Sequence, residues 1–304
     1  MPTLRLGTRG SLLARTQSQL IASAIEKLNA GVTVELVIIK TTGDAVQDRP
    51  LHDIGGKGLF TKELELALLR NEIDLAVHSF KDVPVTLPLV DTTELVIAAV
   101  PEREDARDVL ITRGDSPVAL ADLQPGARVG TGSLRRQCQL LDQRPDVVIE
   151  PIRGNIDTRL GKLNDGVYDA IVLAMAGLKR VGLFDSACMA PLDPTQLTPS
   201  AGQGALALQT RQIDAPTREL LQALHDPIVA RCVGLEREVV RLLDGDCHSP
   251  IAAFAVQNGD SVSMRIAIGT AGGGLPVVRA VADAPASEAN LLPALVVRQL
   301  ENSP

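Results

Sequence analysis

Residues Asp74–Pro84 read D-L-A-V-H-S-F-K-D-V-P. Leu75, Ala76 and Val77 form a short apolar run of the kind a buried strand shows. The run passes directly into His78, Ser79, Lys81 and Asp82, four polar groups within five residues. Open α/β sheets bind ligands at the carboxyl ends of their strands. A carboxylate beside an ammonium at such an end suits a substrate that gains positive charge or releases protons. A solvated loop has the same local composition, so the flanking elements carry the decision.

On the N-terminal side, Leu4–Gly7 predicts a strand, Ser11–Leu28 a helix, and the β-branched run Val32–Ile39 a second strand. Gly43–Gly58 is polar and Gly-rich and predicts a long loop. Phe60–Leu69 places apolar residues at 60, 64, 67 and 68, the spacing of one helix face. With Asp74–Asp82 as strand and turn, the order is βαβαβ, which predicts a mostly parallel sheet flanked by helices. The charged stretch Pro101–Arg107 predicts a crossover into a second α/β run. There Val109–Thr112, Arg128–Gly130, Val147–Ile149 and Ala170–Leu173 read as strands, with Leu134–Leu141 and Asn155–Leu163 as helices. Pro191–Pro199 reads as a linker, and Gly204–Gln209 as a strand that returns to the first domain. A helix from Pro227, three alternating segments and a last helix make a small α+β domain. The predicted domains are 1–99 with 203–222, 103–199, and 227–304.

Composition narrows the function. Of 304 residues, 45% are hydrophobic, enough for a substantial core, and only 2% are aromatic. Single-stranded nucleic-acid binding leans on aromatic platforms and a basic footprint; the formal net charge here is −7. That charge repels an acidic ligand unless cations are gathered in one place. The N-terminus lacks the basic and apolar segments of a signal peptide, and no apolar stretch of about 18 residues predicts a membrane span. Cys138, Cys188, Cys232 and Cys247 are scattered, without a C-x-x-C pair. A disulfide framework or zinc ribbon is therefore not expected, and a cytoplasmic chain with reduced thiols is.

Three strand ends carry arginine. Gly130–Arg136 (G-T-G-S-L-R-R) follows a strand and opens a helix, where free N–H groups attract anions and two guanidinium groups add bidentate donors. Its spacing is neither a dinucleotide fingerprint nor a P-loop. Ile152–Arg159 (I-R-G-N-I-D-T-R) repeats the arrangement, with Asn155 a suitable N-cap, and Arg9 follows the first strand. Together they point to a polyanionic ligand, carboxylate or phosphate. Finally, Cys247 lies in the Gly-containing turn L-D-G-D-C-H-S-P. The thiolate is the competent nucleophile; Asp244 and Asp246 oppose it and a cationic cleft favours it.

These segments, in order, resemble the porphobilinogen deaminase (hydroxymethylbilane synthase) family. The matching motifs are T-R-G-S-L-L-A from Thr8, G-G-K-G-L-F-T-K-E-L-E from Gly55, A-V-H-S-F-K-D-V-P from Ala76 and S-L-R-R-Q from Ser133. They continue with R-G-N-I-D-T-R-L from Arg153, A-G-L-K-R from Ala176, G-Q-G-A from Gly202, and E-R at Glu236 through G-D-C-H-S-P-I at Gly245–Ile251. The resemblance implies two α/β domains like those of periplasmic binding proteins and a third, smaller α+β domain. It implies a monomeric transferase that joins four porphobilinogen units head to tail, with release of ammonia, primed by a covalent dipyrromethane cofactor and without metal or nucleotide. By motif, Cys247 is the thioether anchor and Asp82 the catalytic carboxylate for the azafulvenium ion and the protonated pyrrole. Ser79, Lys81, Ser133, Arg135, Arg136 and Phe60 fall at cofactor positions. Arg9, Ser11, Arg153, Arg159 and Arg180 fall at substrate positions, and Lys57 ends the mobile active-site loop, 43–58. Each pyrrole carries two carboxylates, so a growing chain needs several arginines, and one buried carboxylate stabilises the cationic carbon left by deamination. Asp246, Ser249 and Gly132 stand where the family usually carries a small, a β-branched and a hydroxyl residue. A carboxylate-trapping binding protein with the same lobes would leave Asp82 and Cys247 without a task.

Overall fold

A computed structural model describes residues 3–41, 61–85, 93–246 and 249–301. The chain forms two compact units, Met1–Glu104 with Ala205–Arg231, and Asp105–Gly204 with Cys232–Pro304.

In the first unit, β1 (Thr3–Thr8) lies between β2 (Thr33–Ile38) and β3 (Leu75–Ser79), and all three run parallel. The sheet continues through β10 (Leu206–Arg211) to β4 (Leu95–Ala99). β10 is antiparallel to both neighbours, so the returning strand interrupts an otherwise parallel sheet. Alternation along β3 feeds two cores, because successive side chains point to opposite faces. Leu75 and Val77 meet Ile21, Ala22 and Ile25 of α1 (Leu12–Leu28), while Ala76 meets Leu64 and Leu68 of α2 (Lys62–Leu69). Ser11 caps α1, its hydroxyl accepting the Ala14 N–H at 3.3 Å. β4 was not expected from the sequence.

At the amino ends of β1 and β3, Asp74 binds Arg5 and, from the carboxyl end of antiparallel β10, Arg211, each at 2.8 Å. Burial disfavours the charged carboxyl, but the bonds from Arg5 and Arg211 outweigh it and hold Asp74 down to about 2. A depressed carboxyl pKa contributes stability above its unfolded value of about 3.9, and that stability disappears as pH falls through the folded value. Urea midpoints measured against pH should therefore decline between about pH 4 and pH 2, and Asp74→Asn should flatten that part of the curve.

In the second unit, the sheet order is β7 (Val148–Glu150), β6 (Arg128–Gly130), β8 (Ala170–Ala174), β5 (Asp108–Thr112), β9 (Met189–Leu192). β6 is parallel to β7 and β8; β5 is antiparallel to β8 and β9. The linker expected at Pro191–Pro199 thus begins inside a strand. Pro191 is accommodated because β9 is an edge, where a missing N–H leaves no ladder bond unmade. Helices α3 (Leu134–Gln143), α4 (Ile156–Asn164) and α5 (Met175–Arg180) follow β6, β7 and β8 in turn.

After α6 (Ala215–Gln222) and α7 (Pro227–Leu242), an antiparallel meander of β11 (Ile251–Asn258), β12 (Ser261–Thr270) and β13 (Gly274–Pro285) leads to α8 (Leu292–Glu301). Leu235 and Val239 of α7 and Leu292 and Val296 of α8 share a core with Ala253, Met264 and Ile266. Fully buried Glu236 accepts the N–H groups of Gly202 (2.7 Å) and Ala255 (2.9 Å), tying α7 to the 202 turn and to β11. No helix among the described residues is long and apolar enough to cross a membrane.

Candidate active site

Because β1 and β3 are parallel neighbours, the segments leaving them emerge at one end of the first sheet. Arg9 and Ser11 follow β1, and Ser79, Lys81 and Asp82 close β3. The Ser11 hydroxyl oxygen accepts the cap bond, and its O–H remains a donor. The buried Gln17 amide donates to Ser79 Oγ at 3.1 Å, which fixes that hydroxyl. Buried His78 bonds Gln209 Oε1 through Nε2 at 3.0 Å, and Gln209 Nε2 donates to buried Glu65 at 3.1 Å. Burial lowers the imidazole to about 4 against the opposing effect of the Gln209 bond, with the Arg9 charge lowering it further. His78 is therefore a neutral part of the wall.

The 3-10 turn Phe80–Asp82 is pinned by Phe80, whose ring is buried and whose N–H donates to Ala205 O at 3.0 Å. Turning Phe80 inward sends Asp82 outward. Asp82 is exposed, not buried as the sequence reading had it. No described residue bonds or ion-pairs with its carboxylate, so it neither caps the turn nor pairs with Lys81.

In the second unit, parallel β7, β6 and β8 bring three segments to one sheet end. Thr131 N–H donates to Glu150 O at 3.0 Å, and Ser133 N–H to Thr131 Oγ1 at 3.2 Å. The Ser133 hydroxyl makes no cap bond to α3. A Cβ on Gly132 would sit 3.0 Å from Ile152 O, so a hydroxyl residue there would crowd the adjoining turn. Arg135 and Arg136 are both buried and both bound to Asp108. Burial opposes ionisation of Asp108, but the two guanidinium charges and Gln203 keep its carboxyl well below the usual range. Gly154 holds φ at 109°, a left-handed conformation that favours glycine. The turn it makes is braced by Lys162 Nζ on Arg153 O (3.2 Å) and Tyr168 OH on Pro151 O (2.8 Å). Arg159 Nε donates to Gly154 O and Arg180 Nη2 to Gly204 O, both at 2.7 Å. The half-buried Arg153 side chain has no hydrogen bond or ion pair with any described residue.

Cys247, Phe60, Lys57 and the 43–58 loop lie outside the described residues. The two residues flanking 247–248 compensate one another: Ser249 Oγ accepts from Asp246 N–H and donates to Asp246 Oδ1, each at 3.0 Å. The unusual Asp246 and Ser249 thus occur as a pair. Sequence reasoning missed Asp108, Gln203, Gln17, Glu65 and Gln209. The available signal was a polar side chain at the edge of an apolar run, as in D-V-L-I at Asp108 and L-A-L-Q at Gln209.

Guanidinium groups and a seryl hydroxyl that makes no cap bond suit a ligand carrying several carboxylates, and a dipyrrole bearing acidic side chains is such a ligand. The pattern of the porphobilinogen deaminase dipyromethane cofactor binding domain matches residues 4–219, and that of the porphobilinogen deaminase C-terminal domain matches residues 230–301. The chain is 48% identical over 266 residues to porphobilinogen deaminase of Sorangium cellulosum, covering 87% of this chain and 86% of that protein. It is 50% identical over 252 residues to that of Syntrophobacter fumaroxidans, covering 83% and 79%. Among solved structures, it is similar to a probable amino-acid ABC transporter extracellular-binding protein, ytmK, from Bacillus subtilis. There the TM-score is 0.42 and identity 11%, over 73% of this chain and 91% of that one. Matched over nearly its whole length by both domain patterns, the chain belongs to the porphobilinogen deaminase family.

Proposed function

We propose that Asp82 is the carboxylate with which this chain performs its family's reaction, the head-to-tail joining of four porphobilinogen units into a linear tetrapyrrole with loss of ammonia. One observation carries the assignment: a carboxylate at the carboxyl end of a central parallel strand, held outward by a pinned turn, with no partner among the described residues. The dipyrromethane group supplies, when bound, the pyrrole carbon that takes the first unit. The protein's part is binding and charge control. Arg135, with the Arg136 charge behind it, and Ser133, Lys81, Ser79 and Phe60 hold the primer's acidic side chains and rings; Cys247 anchors it. Arg9, Ser11, Arg153, Arg159, Arg180 and Lys57 serve the incoming unit. Asp82 faces the carbon that becomes cationic as ammonia leaves, and its Oδ atoms take up the proton the attacking pyrrole releases. We read the catalytic carboxylate and Arg9 as part of a domain 1–99 with 203–222, Arg135, Arg136, Arg153, Arg159 and Arg180 as part of 103–199, and the anchor as part of 227–304. The acidic net charge argues against a nucleic-acid partner, the scattered cysteines support a cytoplasmic chain, the lack of a long apolar stretch argues against a membrane partner, and the monomeric state rests on the family resemblance alone.

Arg153 gives a test separable from folding. Its side chain has no bond among the described residues, so Arg153→Leu should leave the thermal midpoint unchanged. The KM for porphobilinogen should rise roughly 10- to 150-fold, the range for one charge-assisted contact. An unchanged KM removes Arg153 from the substrate site.

A further inference from the structure

Asp108 opens β5 and is fully buried. Oδ2 accepts from Arg135 Nη1 at 2.7 Å. Oδ1 accepts from Arg136 Nε at 3.0 Å, Arg136 Nη2 at 2.8 Å and Gln203 Nε2 at 2.9 Å. Two guanidinium groups share one carboxylate, and no second carboxylate bonds to either among the described residues. An interior with an excess cation is costly unless an anion completes it.

The two arginines differ in what they leave over. Arg136 uses Nε and Nη2 on Asp108 and Nη1 on Val172 O at 3.0 Å. Arg135 uses Nη1 only, for Asp108 and for Thr198 O at 2.8 Å. Its Nε–Nη2 edge, two parallel N–H groups that match a carboxylate bidentately, has no partner among the described residues. Gln203 also donates to Ala106 O at 2.7 Å, and with Arg136 on the same oxygen it prevents the Asp108 carboxylate from rotating.

We propose that Asp108 is a positioning residue for the primer: by gripping Arg135 through Nη1 alone, it reserves the Nε–Nη2 edge for one primer carboxylate. The proposal rests on the reading of Arg135 as a cofactor-binding residue. The direct test compares Arg Nε–H resonances of the loaded wild-type protein with those of unloaded Cys247→Ala. The Arg135 resonance, assigned by its loss in Arg135→Lys, should move on loading, while that of Arg136, bonded to Asp108 in both states, should stay. An Arg135 resonance that does not move overturns the proposal, whatever the stability of any Asp108 variant. A second measurement reads primer occupancy by intact mass in the folded fraction. Asp108→Asn should lower it at least about tenfold, as should Arg135→Lys, which keeps the charge but loses the two-donor edge. Full occupancy in both variants overturns the proposal, since a purely structural ion pair would change the folded fraction and not its loading. Arg135→Leu separates the two levels. Full loading of that variant refutes the cofactor role of Arg135 itself; failed loading beside normal Asp108→Asn and Arg135→Lys refutes only the part given to Asp108.

Discussion

Cys247→Ser should fold, be purified without dipyrrole mass, and show no detectable turnover of porphobilinogen. A hydroxyl is a far poorer nucleophile than a thiolate at neutral pH, and an oxygen cannot form the thioether. The other cysteines are poor substitutes. Cys138 is fully buried, burial pushes its thiol up, and Sγ donates to Arg135 O at 3.3 Å. Cys188 is also pushed up, by its local desolvation and then by Asp185 beside it. Cys232 is buried in the core that α7 and α8 form with the three-stranded sheet. A thiolate is therefore disfavoured at Cys138 and Cys188, and Cys232 is hidden from a primer. Peptide mapping of the wild-type protein should place the whole adduct on the peptide containing Cys247. An adduct on any other cysteine, or dipyrrole mass on the serine variant, would falsify the anchor assignment.

The parts of the fold legible in the sequence are those specified locally. The apolar run L-A-V passing into a polar cluster marked β3, and the apolar run A-I-V-L marked β8, because a strand buried on both faces is a continuous apolar run. Ser11 marked the start of α1, because the capping hydroxyl acts on an N–H only three residues on. Strand direction was not legible. The run G-A-L-A-L-Q at Gly204 is equally apolar read either way, and only its pairing with β3 and β4 makes β10 antiparallel. β9 was hidden by Pro191, whose tolerance depends on an edge position that the sequence does not carry.

The same division runs through the site. Arg135 and Arg136 stood out as neighbours at a helix start, but their partner Asp108 lies 27 and 28 residues away, and Gln203 lies 95 from Asp108. Nothing local in P-E-R-E-D-A-R-D distinguishes the last acid from those before it. Once folded, it alone opens a buried strand and meets both guanidinium groups. Asp82 shows the converse. Its chemistry was legible and its exposure was not, since the outward turn depends on the bond from Phe80 N–H to Ala205 O, just before β10.

That exposure sharpens what Asp82→Asn should do. The substitution keeps size and hydrogen-bonding capacity and removes one charge from a side chain with no bond to any described residue. The thermal midpoint should therefore not change. Substrate should still bind, because the arginines remain. Turnover should fall by at least about 10²–10⁴-fold, the usual value of general acid–base help, with lost charge stabilisation adding to that. Asp82→Glu keeps the charge and displaces it by one methylene, so partial activity should survive. If Asp82 served only the turn, the outcome would be reversed: a lower midpoint with near-normal turnover in the folded fraction. Measuring kcat and melting temperature on both variants distinguishes the cases. An asparagine variant within about threefold of wild-type kcat, far short of the acid–base range, would remove Asp82 from the chemistry, and the pinned turn would then have no function that its exposed carboxylate explains.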